Sequence, residues 1–189
     1  MQYYWLCTKE NNMNDLMVDI ETLGTGQNSV ITQIGACYFD RHTAEVKETF
    51  LVNVQIQDCL NHGLGVDAGA LKFWFGEIFK RGTPTFLKEP LPLSSALGQL
   101  KQFAEIHTEA PIWSHACFDF GRLDDGYGKL GQKLGFSYRR LRDIRTLVDL
   151  SGIKRTDMPK EDKTHDALDD CKRQVRYCTQ CFNFIRGKK

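Results

Sequence analysis

The chain has 189 residues, with 25 Lys+Arg against 24 Asp+Glu and a formal net charge of +1. Apolar residues make up 41% and charged residues 26%, globular proportions that exclude a disordered chain. The near-zero charge excludes a uniformly basic nucleic-acid binder, and no apolar run reaches the ~18 residues of a membrane span. The length predicts one domain with a substantial core. Residues 1–13 lack the apolar stretch and cleavage site of a signal peptide. They are expected to form an N-terminal extension of unknown role before a single domain over 14–186. Seven cysteines, an odd count with no export signal, predict a reduced, cytoplasmic protein. Cys178 and Cys181 form a CxxC pair, but two ligands do not make a four-coordinate zinc site. With Cys171 they fall on one helix face, which predicts a core role.

In chain order, residues 16–20, 30–39 and 46–54 read as β-strands. The polar link 40–45 joins the second and third as a hairpin, so three adjacent antiparallel strands open the fold. Asp67 is placed to cap a helix with Leu71, Trp74, Phe75 and Ile78 as its apolar face. Residues 81–92, with three prolines and a glycine, form a loop. Ser94 or Ser95 is expected to cap a second helix carrying Leu97, Leu100, Phe103, Ala104 and Ile106. Residues 111–113 read as a buried strand, 119–134 as a glycine-weakened helix, and 141–150 as one further short element. Residues 154–163 form a charged loop, and 166–185 the last helix. The order predicts a mixed α/β layer fold.

Chemistry concentrates in the carboxylates. Asp19 and Glu21 lie two apart in the first strand and therefore share a face. Two adjacent acids repel unless a cation joins them, and oxygen ligands suit magnesium or manganese. A lone D-x-E is equally the mark of a solvated strand end. Asp119 follows an apolar strand and opens a helical pattern, a place where an acid also serves as a simple N-cap. His165 precedes the expected cap Asp166, with Ala167, Asp169 and Asp170 in the first turn. Helical geometry alone does not choose between Asp169 and Asp170. Together, four acids can hold two divalent ions roughly 3.5–4 Å apart, an arrangement suited to phosphodiester displacement, with a neutral histidine taking a proton from water.

The ordered set Asp19-Ile20-Glu21-Thr22, His115-Ala116-Cys117-Phe118-Asp119 and His165-Asp166-Ala167-Leu168-Asp169-Asp170 resembles the DEDDh branch of the DnaQ-like 3′→5′ exonucleases. Residues 71–75 and 142–146 look closest to phage and bacterial proteins similar to exodeoxyribonuclease VIII. The resemblance implies an RNase H-like fold, a five-stranded mixed sheet flanked by helices. It implies two Mg2+ or Mn2+ ions on Asp19, Glu21, Asp119 and Asp170, with His165 as general base, and it selects Asp170 over Asp169. It also implies a 3′-terminal nucleotide held near Thr22 and Leu23. His115 stands where many relatives carry Asn, and a contact to the substrate backbone and simple space filling are the two roles open to it. The implied activity is hydrolysis of single-stranded DNA or RNA from the 3′ end to nucleoside 5′-monophosphates, in a possible homodimer. An exoribonuclease and a non-catalytic nucleic-acid-binding domain of the same fold are the alternatives.

Arg139, Arg140, Arg142, Arg145, Lys154, Arg155, Lys160 and Lys163 form a late basic stretch, open to reading as a phosphate-holding rim or as solvated surface. Phe73, Trp74, Phe75 and Phe79 stack on bases in one reading and pack in the core in the other.

Overall fold

The computed structural model describes residues 14–154 and 164–187. The N-terminal extension and residues 155–163 of the charged loop, including Arg155, Lys160 and Lys163, lie outside the described residues. Strands β1 (Asn14–Thr22), β2 (Ile31–Asp40) and β3 (Val46–Asn53) are antiparallel neighbours. Strands β4 (Ile112–Ser114) and β5 (Leu141–Asp143) extend the sheet in parallel from the other side of β1. The order β3-β2-β1-β4-β5 makes a five-stranded mixed sheet with β1 at its centre.

Helices cover both faces. On one side lie α1 (Ile56–Asn61), α2 (Ala68–Arg81), α3 (Leu93–Ala104) and α4 (Ala116–Lys129). On the other lie α5 (Ile144–Ser151) and α6 (Ala167–Ile185). The alternation of strand side chains then decides where chemistry can occur. Leu16, Val18 and Ile20 enter the larger core with α1–α4, while Met17 enters the smaller core beneath α5 and α6. Asp19 and Glu21 are in phase with Met17 and so emerge toward α6. The register of β1 against β2 shifts between Glu21 and Thr22. Such an irregularity ends regular pairing and re-aims a side chain at the strand's end.

Several expectations are corrected by packing. Asp67 does cap α2, accepting from Ala70 N–H at 2.7 Å. The buried face of that helix is Ala70, Trp74 and Glu77, however, and Leu71, Phe75, Ile78 and Phe79 are exposed. Neither Ser94 nor Ser95 caps α3. Its first N–H, on Leu93, donates to Asp58 Oδ2 of α1 at 2.7 Å, so a residue remote in sequence does that work. Helix α4 starts at Ala116, which puts Asp119 one turn inside it. The segment 141–150 is two elements, β5 and α5. Cys171, Cys178 and Cys181 are buried in the smaller core beside Met17, and Cys181 Sγ accepts from Ser151 Oγ at 3.4 Å. Among the described residues, no helix is long and apolar enough to cross a membrane.

The start of α6 is seated directly on β2. A Cβ at Gly35 would lie 2.5 Å from Leu168 N and from the Ala167 carbonyl oxygen, so only glycine permits this approach. Gln33, also fully buried, accepts from Ala167 N–H at 2.7 Å. Its amide nitrogen donates to Asn53 Oδ1 at 2.9 Å and Thr85 Oγ1 at 3.1 Å. Gly35→Ala is expected to cost roughly 1–3 kcal/mol, as overpacking does. Backbone rather than a flexible side chain must move there. Urea denaturation checks this, and a wild-type midpoint would contradict the close seating of α6.

Candidate active site

Three elements meet at one end of β1. The strand contributes Asp19 and Glu21, α4 contributes Asp119, and α6 contributes Asp170. Asp19, Asp119 and Asp170 are buried and Glu21 is half-buried. Donor atoms of Asp19, His115 and Asp119 lie within 4.8 Å of one another, and those of Glu21, His165 and Asp170 form a second such group. The order of residues that looked scattered along the chain is thus one cluster. Asp169, by contrast, is exposed and faces Lys172 Nζ at 3.7 Å.

Each side chain is held by a local device. Asp119 Oδ2 reaches back to accept from His115 N–H at 2.8 Å, so the acid and the start of its own helix fix one another. Gln174, one turn after Asp170, donates from Nε2 to Asp19 Oδ1 at 2.6 Å. Arg173 pairs with Asp170 Oδ1 at 3.0 Å, so one cation does border the cluster. His165 sits just before the cap Asp166, which accepts from Leu168 and Asp169 N–H groups. Its φ of +53° is left-handed, a conformation histidine tolerates better than branched residues. That turn brings the imidazole edge-on to Phe73, centroids 4.8 Å apart, and near Trp74 at 6.0 Å. Glu77 Oε2 lies 3.9 Å from His165 Nε2.

Beside His165 is a cleft of about 380 Å³ lined by Glu21, Thr22, Phe73, Trp74 and Phe118 among others. Trp74 is buried and donates from Nε1 to the Thr22 carbonyl at 2.9 Å, tying α2 to the end of β1. The four aromatic residues of α2 therefore split. Trp74 is core, Phe73 is a half-exposed cleft wall, and Phe75 and Phe79 face away from the core. Leu23 is buried in the larger core and does not line the cleft, whereas Thr22 and Thr25 do. Of the basic stretch, Arg140 is consumed by the carbonyls of Ala104, His107 and Ala110. Arg139 lies over Tyr138, and Arg142 donates to the Arg139 and Leu141 carbonyls.

Burial and mutual repulsion dominate the electrostatics. Asp19 is pushed well above the carboxylate range, first by burial and then by Asp119, Glu21 and Asp170. Glu21 rises to about 8, by burial and then by Asp170 and Asp119. Asp119 rises to about 7 by burial, opposed by the His115 N–H and by Arg122 and Arg145. The folded chain thus retains protons that the unfolded chain releases above the ordinary values of 3.8 and 4.5. Stability without divalent ions must then fall as pH rises through the window up to about 8. The thermal midpoint in chelator should be higher near pH ~5.5 than near pH ~8, with a divalent ion restoring it at the upper value. A midpoint that rises with pH in chelator would contradict this electrostatic picture.

The donor set fits hard divalent cations: carboxylate oxygens dominate, and they oppose one another in a low-dielectric setting. Gln174 Oε1, buried beside Asp19, has no hydrogen-bond partner among the described residues, one more unsatisfied acceptor at the cluster. Gln174, Tyr177 and Glu77 were not singled out from sequence. Gln174 and Tyr177 follow Asp170 by four and seven, so the helical face of the acid itself was the available signal.

A sequence profile described as the 3′-5′ exoribonuclease Rv2179c-like domain matches residues 14–182. The chain belongs to this family. It is accordingly a 3′-5′ exonuclease, and its fold is that of the DEDDh, RNase H-like exonucleases. The nuclease domain of 3′hExo, a DEDDh family member bound to rAMP, shares 12% identity over 95% of both chains, with a TM-score of 0.58. E. coli exonuclease I in complex with a 5cy-dT13 oligonucleotide shares 13% identity over 93% of this chain and 41% of that one, with a TM-score of 0.62. A 3′-exonuclease in 3′-end-specific recognition of the histone mRNA stem-loop shares 13% identity over 94% of this chain and 84% of that one, at 0.58. No curated protein sequence matches the chain.

Proposed function

We propose that this exonuclease, a single domain over 14–186, hydrolyses single-stranded nucleic acid from the 3′ end with two divalent ions and releases nucleoside 5′-monophosphates. The observation that carries the reading is the cluster itself: four acids from three elements, with His165 at its rim and a cleft alongside. Asp19, Glu21, Asp119 and Asp170 would hold the ions, Mg2+ or Mn2+. When bound, these would offset the carboxylate charge and polarise the phosphodiester and the water.

The remaining work belongs to the chain's own side chains. Thr22, Phe73 and Phe118 line the space for the 3′-terminal nucleotide. His165, its ring set by Phe73 and Trp74, accepts the proton of the attacking water at an imidazole nitrogen. Glu77 stands where it favours the imidazolium that results. The water oxygen bonds to phosphorus, the bond from phosphorus to the 3′ oxygen breaks, and that oxygen takes a proton from solvent, so the shortened strand leaves with a 3′-hydroxyl. The expelled nucleotide keeps the phosphate.

RNA is the favoured substrate because the matching family is described as exoribonuclease. DNA is the second reading, supported by the likeness of residues 71–75 and 142–146 to phage and bacterial exodeoxyribonuclease VIII-like proteins. The structure puts Phe73 and Trp74 of that stretch at the cleft. The six described cysteines are all free, which supports a cytoplasmic site of action. A homodimer carries over from the resemblance as part of the same proposal, to be read by light scattering.

Matched single-stranded RNA and DNA, each labelled at the 3′ end, test the proposal in magnesium, in manganese and in excess chelator. The expected result is metal-dependent release of labelled mononucleotide, faster from RNA. Full activity in chelator would overturn the metal-dependent mechanism.

A further inference from the structure

Two groups of donors make up the cluster, and each contains a histidine. His165 has a role in the proposed chemistry. His115 has none, yet a ring nitrogen of His115 lies within 4.8 Å of carboxylate oxygens of both Asp19 and Asp119. Metal–ligand distances of about 2.0–2.2 Å put donor atoms at most ~4.4 Å apart, so small side-chain rotations would bring all three onto one ion. The three donors come from β1, from the residue preceding α4, and from α4 itself, which gives them different directions of approach.

The imidazole is also held in place. The His115 N–H donates to Asp119 Oδ2 at 2.8 Å, which locks its backbone to one of the two acids. The Tyr177 hydroxyl, on the buried side of α6, lies 3.2 Å from His115 Nε2 and sets the rotation of the ring. Gln174 fixes Asp19 from the same helix. His115, like Asp19 and Asp119, is not among the residues that line the cleft, and its ring nitrogen lies beside those two acids.

We infer that His115 is a ligand of the cation held by Asp19 and Asp119, and that it makes this position select manganese over magnesium. The inference rests on the metal-dependent reading above and adds to it a nitrogen ligand and a metal preference. Magnesium keeps oxygen ligands and dehydrates reluctantly, whereas imidazole suits first-row transition ions. The other position, on Glu21 and Asp170, keeps oxygen donors and stays permissive to either ion once His165 is engaged with water.

The test is binding, not turnover. Manganese and magnesium are titrated separately, by calorimetry, into the metal-free full-length chain and its His115→Asn and His115→Gln variants. Bound manganese is also examined by pulsed electron paramagnetic resonance for coupling to a ligand nitrogen. Both variants should weaken manganese binding at the tighter position by about tenfold or more and magnesium binding by less than ~threefold, the range in which loss of a metal-site partner acts. The nitrogen coupling should disappear in both and persist in His165→Asn. Circular dichroism confirms folding, and the glutamine variant serves if the asparagine variant misfolds. An unchanged manganese-to-magnesium ratio with the coupling retained overturns the inference and leaves the metal-dependent reading standing. A wild-type chain that binds neither ion overturns both.

Discussion

Asp19→Asn and Asp119→Asn are each expected to yield a folded protein that hydrolyses nucleic acid far more slowly than the wild type. Both acids are buried at the junction of β1 with α4 and α6, and both are raised toward the protonated form by burial. An amide keeps the shape and the hydrogen-bonding reach but removes the charge that a divalent ion needs. The expected fall in rate is roughly 10³-fold or more, at or above the ~10²–10³ lost with a single donor at a transition state. The metal-free thermal midpoint of Asp19→Asn should rise, because one of four mutually repelling groups is gone. Asp169→Asn is the control. Its side chain is exposed and pairs with Lys172 across 3.7 Å, so rate and midpoint should stay near wild type. Rates near wild type in Asp19→Asn, or an essential Asp169 beside a dispensable Asp170, would contradict the assignment. Single-turnover cleavage and differential scanning calorimetry give both readings.

The second large effect belongs to His165. His165→Ala should lower the single-turnover rate by roughly 10²–10⁴-fold, the usual contribution of a positioned base. His165→Asn should match it, because an amide does not accept the proton. Nucleic-acid binding should persist in both, since the four carboxylates and the cleft walls Thr22 and Phe118 remain. The comparison of a binding titration with a rate separates the base from a merely structural histidine. A His165→Ala enzyme with normal binding and normal rate would remove His165 from the chemistry.

The parts of this architecture that were legible in the sequence are those written in local pattern. The three opening strands follow from β-rich runs and a short polar link. Asp67 and Asp166 announced their helices, because an N-cap is a contact between residues only two or three apart. The carboxylates were legible through strand alternation for Asp19 and Glu21, and through motif order for Asp119 and Asp170. Contacts between remote segments left no such trace. Asp58 caps α3 across 35 residues, and Gln33 anchors α6 across 134. Gly35 is needed only because α6 arrives there. The apolar count on α2 suggested Leu71, Phe75 and Ile78 as its inner face. The helix is instead turned to place Trp74 on the end of β1 and Glu77 toward His165. Arg140 looked like part of a phosphate-binding rim, and three backbone carbonyls claim it. In each case tertiary packing set the outcome, and local spacing carried no record of it.

The most direct measurement follows one single strand labelled at its 5′ end and an identical strand labelled at its 3′ end, digested in manganese by wild-type protein and by Asp19→Asn. Hydrolysis from the 3′ end predicts that the 3′ label leaves at once as a mononucleotide. The 5′ label should pass through a ladder of strands shortened one residue at a time, and Asp19→Asn should do neither. Immediate release of the 5′ label, internal cuts, or an undiminished ladder with Asp19→Asn would contradict the account.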